Sequence, residues 1–243
     1  MLEVINVTKY FGGIAALKGL SFVVNEKELV GLIGPNGAGK TTLFNLISGV
    51  YRPTQGLIKF DGRNLNNLKP YQICHMGIAR TFQIPKPFKR MSVLENVMVG
   101  ILFGKGKTIS LKDARSKALE YINLVGLSGR GENKLAGELN VADLKSLEIA
   151  RALATNPKLL LLDEVVSGLN PVETKEKMRL VQRIRDELAI TVLWIEHVMS
   201  AVMGLCERVI VIYYGAKLAE GSPKEIASNS RVIEAYLGKE YTI

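Results

Sequence analysis

One nine-residue stretch, 34–42, constrains this chain more than any other. It reads Gly34-Pro35-Asn36-Gly37-Ala38-Gly39-Lys40-Thr41-Thr42. An apolar run precedes it and a helical pattern follows it, which is the strand–loop–helix context that a P-loop requires. Glycines let the backbone wrap around a phosphate, and the loop N–H groups with the helix N-terminus bind the anion. Lys40 is expected to reach the terminal phosphates and Thr41 to offer its hydroxyl to Mg²⁺, so the stretch predicts binding of a nucleoside triphosphate.

Length and charge set the limits within which this loop must work. The chain has 243 residues with 47% hydrophobic content, which suits one or two compact domains. The formal net charge of +9 fits nucleic acid, an anionic membrane surface or polyphosphate ligands. Between Asp61 and Glu95 there is no acid, yet six basic residues occur there: Arg63, Lys69, Arg80, Lys86, Lys89 and Arg90. This run is either a solvated face with phosphate neutralisation or a contact with lipid headgroups or membrane-protein loops.

Cysteines and hydropathy indicate where the chain works. Cys74 and Cys206 are far apart and lack metal-ligand spacing, which predicts reduced thiols in a cytosolic protein. The N-terminus has no basic region followed by an apolar run, so no secretory signal is predicted. No apolar run approaches the length of about 18 residues that a membrane helix needs. If the protein works at a membrane, we expect it to do so through a partner.

Strand and helix patterns alternate along most of the chain. Strands are expected at 2–7, 14–24, 57–60, 78–83, 159–162, 190–195, 209–214 and 217–219. Helices are expected from the P-loop to about 50 and at 70–76, 93–102, 111–126, 143–154, 171–188, 198–204, 223–228 and 230–237. The block from 93 to 154 holds no strand pattern. It therefore predicts a helical insertion in an α/β domain.

A second constellation that suits nucleotide chemistry is Asp163-Glu164, directly after four leucines. The apolar run predicts a strand buried on both faces, and ligands bind at the carboxyl ends of such strands. Asp163 would hold Mg²⁺, and Glu164 would orient or deprotonate the attacking water. The alternative is a pair of acids in a surface turn.

Three further residues are ambiguous by themselves. His197 ends the next buried strand, where a histidine is either structural or a sensor of the γ-phosphate. Phe11 precedes a Gly-Gly turn and either packs or stacks on a purine. Gln83 ends a basic strand and alone indicates no function.

Taken together, these motifs occur in the order and at the spacings of an ABC ATPase. The resemblance covers essentially the whole chain and is carried by Phe11, residues 34–42, Gln83, residues 159–164, Ser167-Gly168-Leu169-Asn170 and His197. It implies a P-loop NTPase fold with a RecA-like mixed sheet, an antiparallel β subdomain and an inserted all-helical subdomain. One ABC ATPase domain would span 1–243, with the core in 1–85 and 156–243 and the helical subdomain in 86–155.

The resemblance also implies roles for single residues, with ATP and Mg²⁺ as cofactors. Phe11 would stack on the adenine and Ala16 would pack near the ribose. Gln83 would contact Mg²⁺ and belong to the coupling loop, and His197 would be the switch histidine. The loop of Ser167, Gly168 and Asn170 would join two ATPase subunits.

Finer detail is similar to one branch, the ATP-binding subunits of branched-chain amino-acid importers. The matching segments are 11–13, 78–87, 168–171 and Ala235-Tyr236-Leu237-Gly238. The implied function is an ATP-hydrolysing subunit that powers import of branched-chain or related amino acids. It would lie peripherally on the cytoplasmic face of the cell membrane, with 84–91 contacting a membrane-embedded permease subunit. Such a subunit does not touch the transported substrate.

The signature motif departs from the family pattern. ABC ATPases usually carry Leu-Ser-Gly-Gly-Gln before the helix that contains Ala-Arg-Ala-Leu, which here falls on Leu139-Asn140-Val141-Ala142-Asp143. Asn140 can cap the helix and donate to a phosphate, but Val141 and Ala142 add Cβ atoms where glycine allows close approach. Asp143 adds a carboxylate that repels polyphosphate. Val165 stands where the family usually has proline after the glutamate.

These departures lead to a hypothesis about partners. The chain's own P-loop, Mg²⁺ ligand and base would form a competent half-site, while its signature would serve the nucleotide of a second ATP-binding subunit poorly. A dimer is expected, and a heterodimer with one dominant site is favoured over a homodimer. One alternative is a soluble ABC ATPase acting on ribosomes or nucleic acid, but the chain has one P-loop and no sustained heptads, and no nucleic acid is expected. The other is a regulatory nucleotide-binding subunit with weak turnover.

Overall fold

The computed structural model describes residues 1–105, 109–129 and 131–237. Gly238, which ends one of the segments similar to the importer branch, lies outside the described residues. The chain forms two compact units. The first combines Met1–Pro70 with the described residues from Thr191 onward, and the second is Tyr71–Ile190.

The predicted strands and helices are all present among the described residues, with one short strand, β5, that was not predicted. The strands are β1 (Leu2–Phe11), β2 (Ile14–Val24), β3 (Leu29–Ile33), β4 (Gln55–Phe60), β5 (Arg63–Asn64), β6 (Ile78–Arg80), β7 (Leu159–Asp163), β8 (Thr191–Ile195), β9 (Arg208–Tyr213) and β10 (Ala216–Gly221). The helices are α1 (Lys40–Ile47), α2 (Pro70–Met76), α3 (Val93–Phe103), α4 (Leu111–Leu124), α5 (Val141–Ala154), α6 (Pro171–Asp186), α7 (Met199–Leu205), α8 (Pro223–Ala227) and α9 (Ser230–Leu237). A 3₁₀ turn, Ala136–Glu138, precedes α5.

The first unit contains two kinds of sheet. One is antiparallel, with strand order β2-β1-β4-β5. In the other, β3 pairs in parallel with both β8 and β9, and β10 pairs antiparallel with β9. Every residue of β3 and of β8 is buried, as expected for parallel strands that are covered on both faces. The carboxyl end of β3 leads directly into residues 34–39.

The second unit combines a parallel strand pair with helices. β6 pairs in parallel with β7, whose five residues are all buried. The helices α3, α4 and α5 pack against one another. Gly100 permits the close approach of α3 to α5, because a Cβ there would lie 2.7 Å from the carbonyl oxygen of Arg151. The carboxyl end of β7 carries the acidic pair of the sequence prediction.

This combination of a mixed sheet with parallel strands, a separate antiparallel sheet and helices confirms the predicted fold class. The predicted limits of the helical subdomain, 86 and 155, stay a prediction. Among the described residues, no helix combines the length and the apolar character needed to cross a membrane.

Several helix boundaries differ from the prediction by one to three residues; α4 and α6, for example, each end two residues earlier than predicted. α1 ends at Ile47 rather than near Val50, because Gly49 adopts a left-handed conformation with φ of 73° that terminates the helix. α5 begins two residues earlier than predicted. Its N-cap is Asn140, whose side-chain oxygen accepts the N–H of Asp143 at 2.8 Å.

β6 is shorter than predicted and ends at Arg80 rather than at Gln83. The N–H of Thr81 still bonds the carbonyl of Leu161 at 2.9 Å, but the Thr81 hydroxyl then accepts the N–H of Asp163. A side chain thus replaces the next main-chain partner, and the strand pairing stops. Gln83 is consequently in a loop.

Candidate functional site

The loop 34–39 is tightly enclosed by the first unit. A Cβ on Gly34 would lie 2.1 Å from the carbonyl oxygen of Ile212. Gly39 has φ of 106°, and a Cβ there would lie 2.6 Å from the carbonyl oxygen of Ala16. Glycine is therefore required at both positions, by contact at the first and by contact and conformation at the second.

The Lys40 side chain folds back onto this loop. It is only 6% exposed, and its ammonium donates to the carbonyl oxygens of Gly34 at 2.6 Å and Pro35 at 3.0 Å. These bonds hold the cation inside the curve of the loop. A phosphate bound in that curve would meet a fixed positive charge.

The N-terminus of α1 is arranged to bind an anion. Its N-cap, Gly39, has no side chain to bond the first-turn N–H groups, and the first turn carries no acid. Thr41 and Thr42 follow in that turn, and Thr41 is exposed. The N–H groups and the positive end of the helix dipole are thus presented together with a hydroxyl.

A hairpin turn braces the loop from one side. The N–H of Gly215, between β9 and β10, donates to the carbonyl of Ala38 at 3.0 Å, and its own carbonyl accepts the N–H of Lys18 at 2.8 Å. A Cβ on Gly215 would lie 2.7 Å from the carbonyl oxygen of Ala16. Ala16 is therefore beside the loop, whereas its contact with a ribose stays a prediction.

Tyr236 on α9 approaches the start of the same loop. Burial raises the pKa of Tyr236 to about 12, and a hydrogen bond with the backbone of Gly34 opposes that rise. The C-terminal helix thereby contacts the phosphate loop within the first unit. The sequence indicated Tyr236 only as part of the segment similar to importer subunits.

Phe11 lies at the end of β1 with 42% of its surface exposed. Its ring packs edge-on against Tyr51 at a centroid distance of 5.2 Å, and the Lys9 ammonium lies 5.1 Å from its centroid. Part of the ring is accessible to a ligand. Its stacking on adenine stays a prediction.

His197 follows β8 and is held through its backbone. Glu196, which is fully buried, accepts the N–H groups of His197 at 3.0 Å and Val198 at 3.4 Å on one carboxylate oxygen. A buried carboxylate therefore fixes the backbone from which the His197 side chain projects. Glu196 was not assigned a role from the sequence.

In the second unit, Asp163 ends β7 and is 2% exposed. Its carboxylate accepts a bond from the Arg80 guanidinium at 2.9 Å, and its N–H donates to the Thr81 hydroxyl at 3.0 Å. Both charged side chains are buried, so each stabilises the charge of the other. The alternative of two acids in a surface turn is excluded for this residue by its burial.

The structure brings Glu164 and Gln83 together in the second unit. The Gln83 amide donates to the Glu164 carboxylate at 2.9 Å. Glu164 also has a left-handed backbone, with φ of 51°. The two side chains line a pocket of about 610 Å³ in the second unit.

The segment after Gln83 is anchored to α5 by two charged side chains. The Glu148 carboxylate accepts the N–H of Lys86 at 3.0 Å, and the Arg151 guanidinium donates to the carbonyl of Lys86 at 2.7 Å. Burial raises the pKa of Glu148 and lowers the pKa of Arg151, while the attraction between the two opposes both changes. The proline-rich segment is therefore held to α5 through the backbone of Lys86.

The signature region forms the first turn of α5. Asn140 and Val141 are exposed, and the Asn140 side chain caps the N–H of Asp143. The predicted capping by Asn140 is therefore confirmed. Contact of Asn140, Val141 and Ala142 with a partner's nucleotide stays a prediction.

The predicted subunit-joining loop connects β7 to α6. Asn170 caps α6, since its side-chain oxygen accepts the N–H groups of Val172 and Glu173, both at 3.0 Å. The carbonyl of Ser167 accepts a bond from the Lys145 ammonium, and Gly168 is exposed. Asn170 thus has a role within its own chain, and partner contacts of the loop stay a prediction.

Several residues of the site were not predicted from the sequence. The Arg80 guanidinium bonds the Asp163 carboxylate, the buried Lys145 bonds the Glu164 carbonyl, and Thr81 bonds the backbone of Asp163. The sequence counted Arg80 only as part of a basic run. A basic residue three positions before Gln83, in a strand, was the available indication.

The first unit carries a glycine loop with the buried Lys40. The second unit carries, at the end of β7, the buried Asp163 and Glu164, which is bonded to Gln83. These are the features of a P-loop nucleoside triphosphatase. A family model described as ABC transporter matches residues 17–167. A second model, described as branched-chain amino acid ATP-binding cassette transporter, matches residues 216–242. The chain belongs to the ABC transporter family. It is the type of subunit that binds and hydrolyses ATP in these transporters.

Relatives named for branched-chain amino acid transport match nearly from end to end. The high-affinity branched-chain amino acid transport ATP-binding protein BraF of Pseudomonas aeruginosa is 41% identical over 254 residues, 98% of each chain. The corresponding protein LivG of Salmonella typhimurium is 42% identical over 251 residues, again 98% of each chain.

Solved structures agree with this family. The ADP conformation of MJ1267, an ATP-binding cassette of an ABC transporter, superposes with a TM-score of 0.87 at 35% identity, covering 98% of this chain and 99% of that one. A dimeric post-hydrolysis structure of the cassette MJ0796, bound to ADP and Pi, gives a TM-score of 0.85 at 29% identity, covering 92% and 99%.

Proposed function

We propose that this ATPase powers a membrane importer for branched-chain or related amino acids. The relatives BraF and LivG, named for branched-chain amino acid transport, support the substrate class, as does the match over residues 216–242. The observation that carries hydrolysis is the bond from the Gln83 amide to the Glu164 carboxylate, directly after the buried Asp163.

The first unit binds the nucleotide. The N–H groups of residues 34–42 and the Lys40 ammonium bind the phosphates. Phe11 stacks on the adenine, and Ala16 packs near the ribose. His197 senses the γ-phosphate, and the buried Glu196 carboxylate keeps its backbone in place.

When Mg²⁺ is bound, Thr41, Gln83 and Asp163 would supply oxygen donors, the donor type that this ion prefers. The Gln83 Nε2 bonds Glu164, so its amide oxygen is the atom that faces a cation. The chemistry that the ion would supply is neutralisation of charge on the phosphates.

Glu164 positions and deprotonates the attacking water. Its carboxylate oxygen is fixed by Gln83, and it lines a pocket that a water molecule can enter. Gln83 therefore orients the base in addition to its contact with the metal ion.

A second ATP-binding subunit completes the assembly, and we favour a different chain over a second copy. The dimeric cassette MJ0796 supports pairing of such subunits. The partner's nucleotide is contacted by Asn140, Val141 and Ala142 and by Ser167, Gly168 and Asn170. Because Asp143 places a carboxylate in the first turn of α5, this contact is weak.

Residues 84–91 dock on a cytoplasmic loop of the permease subunits. Ile84 is 75% and Phe88 46% exposed, and Lys86, Lys89 and Arg90 surround them in sequence. Such a contact keeps the chain at the cytoplasmic face of the membrane without touching the transported amino acid.

The test is uptake of labelled leucine, isoleucine or valine by proteoliposomes that contain the chain with its membrane subunits, its second ATPase and the binding protein. We expect uptake that depends on ATP and is lost in Lys40→Ala. ATP hydrolysis without uptake of these amino acids would contradict the substrate class. Stimulation of hydrolysis by RNA or DNA instead of by the membrane subunits would contradict the transport role.

A further inference from the structure

Lys145 is a buried lysine in the second turn of α5. The residue is only 7% exposed. Its ammonium donates to the carbonyl oxygens of Glu164 at 2.8 Å and of Ser167 at 2.5 Å. Lysine is rarely buried to this degree unless its charge is compensated. The acceptors here are main-chain carbonyls at the two ends of the segment 164–167.

That segment needs support because its first residue is strained. Glu164 has φ of 51°, a left-handed conformation that is unfavourable for a residue with a Cβ. Such a conformation persists only where the surrounding contacts determine it. Val165 and Val166, the two residues within the segment, are 3% and 1% exposed and fix it from the apolar side.

Glu164 is thus held both through its side chain and through its backbone. Gln83 bonds the carboxylate, and Lys145 bonds the carbonyl. With the carbonyl fixed, the peptide plane after Glu164 cannot rotate without breaking a bond to a charged donor. The direction in which the carboxylate projects is therefore set from α5.

We propose that Lys145 is a positioning residue for ATP hydrolysis, which holds Glu164 in its strained, productive orientation and couples it to α5 and to the loop that starts at Ser167. The proposal rests on the proposed role of Glu164 as the base. Asn140 and Asp143 occupy the first turn of the same helix. A displacement of α5 when that turn meets the partner's nucleotide therefore moves the carbonyl of Glu164 as well.

The first test compares Lys145→Met, which removes every donor, with Lys145→Arg, which keeps donors, in the assembled transporter. We expect Lys145→Met to lower kcat per bound nucleotide by roughly tenfold to a hundredfold, with KM for ATP changed by less than about twofold. Lys145→Arg should recover part of the loss. The matched control is Lys177→Met, since Lys177 is equally buried and bonds the neighbouring Ser146 hydroxyl; its kcat per bound nucleotide should stay near that of the unmodified chain.

The second test separates positioning from a loss of stability by adding Lys145→Met to Glu164→Gln. If Lys145 acts through Glu164, the double variant turns over as slowly as Glu164→Gln alone, because there is no base left to misplace. A further loss equal to that of Lys145→Met by itself would overturn the proposal, as would an unchanged kcat in Lys145→Met. Should Lys145→Met fail to assemble, Lys145→Gln carries the same expectations, because its shorter side chain cannot bond both carbonyls.

The two hypotheses fail in different ways. If Glu164→Gln itself leaves turnover unchanged, the proposed role of the base is wrong. If Glu164→Gln abolishes turnover while Lys145→Met has the same kcat per bound nucleotide as Lys177→Met, Glu164 is the base but Lys145 does not position it.

Discussion

Two helix N-termini in this molecule are built in opposite ways. α1 follows a loop of glycines, has no side-chain cap and carries no acid in its first turn. α5 follows Asn140, whose side chain occupies the N–H of Asp143, and its first turn carries the Asp143 carboxylate. The first end presents N–H groups and positive potential to an anion, whereas the second satisfies its own N–H group and repels one.

The comparison shows that a helix N-terminus can keep its structure while its contact with a phosphate is weakened. Asn140 is among the best N-cap residues, so α5 keeps its stability. What the sequence lacks there are the glycines that permit close approach of a phosphate. We infer that the nucleotide bound by this chain is the productive one and that the nucleotide facing α5 belongs to a weaker site.

The largest effect should come from the loop before α1. Lys40→Ala removes an ammonium that is held inside the loop, and we expect ATP turnover of the assembled transporter to fall by about a hundredfold or more. Lys18→Ala, at an exposed position of β2, is the control and should leave turnover unchanged. A loss in Lys40→Ala no greater than in the control would mean that α1 does not mark the productive site.

The next effect concerns the fit of the same loop. Gly34→Ala places a Cβ 2.1 Å from the Ile212 carbonyl oxygen, and we expect the free energy of unfolding to fall by about 1–3 kcal/mol in chemical denaturation. Ala142→Gly, in the first turn of α5, should cost about 1 kcal/mol or less. Equal stability of Gly34→Ala and the unmodified chain would show that the loop is less constrained than its contacts indicate.

A smaller effect is expected at the first turn of α5. Asp143→Gln removes the carboxylate, and we expect the ATP concentration for half-maximal dimer formation with the partner to fall, by about fivefold at most. The control is Glu138→Gln, which removes an acid from the preceding 3₁₀ turn and should have little effect. If the two substitutions act alike, general charge and not the helix end sets the affinity.

The smallest effects are in the pH dependence of stability, and they have opposite signs in the two units. Burial raises the pKa of Glu28, but hydrogen bonds and the charge of Arg208 outweigh it, so its pKa lies below 4.5. Its stabilisation is present above pH 4.5 and is lost as the pH falls through the folded-state pKa. Burial raises the pKa of Glu148, so its contribution is largest at low pH and declines as the pH rises through that pKa.

The contributions of Glu28 and Glu148 to stability are measured by urea denaturation of Glu28→Gln, Glu148→Gln and the unmodified chain across pH 3–8. The stability lost in Glu28→Gln should grow with pH, and the stability lost in Glu148→Gln should shrink. The same pH slope for the two differences would show that these carboxylates do not differ in the folded state.

The sequence predicted the elements that depend on near neighbours. The apolar runs at β3, β7 and β8 and the loop at 34–42 could be predicted because each is encoded within a few residues. The pairing of Arg80 with Asp163 and of Lys145 with Glu164 was missed, because these bonds join residues far apart in sequence. Where β6 ends follows from the Thr81 bond to Asp163, which no local pattern contains.

The most direct test of the unequal sites is to change the base of each subunit in turn. Glu164→Gln in this chain, and the corresponding substitution in the partner, are introduced separately, and ATP turnover of the assembled transporter is measured. We expect Glu164→Gln to abolish most of the turnover and the partner's substitution to remove a small part of it. Equal losses from the two substitutions would contradict the account.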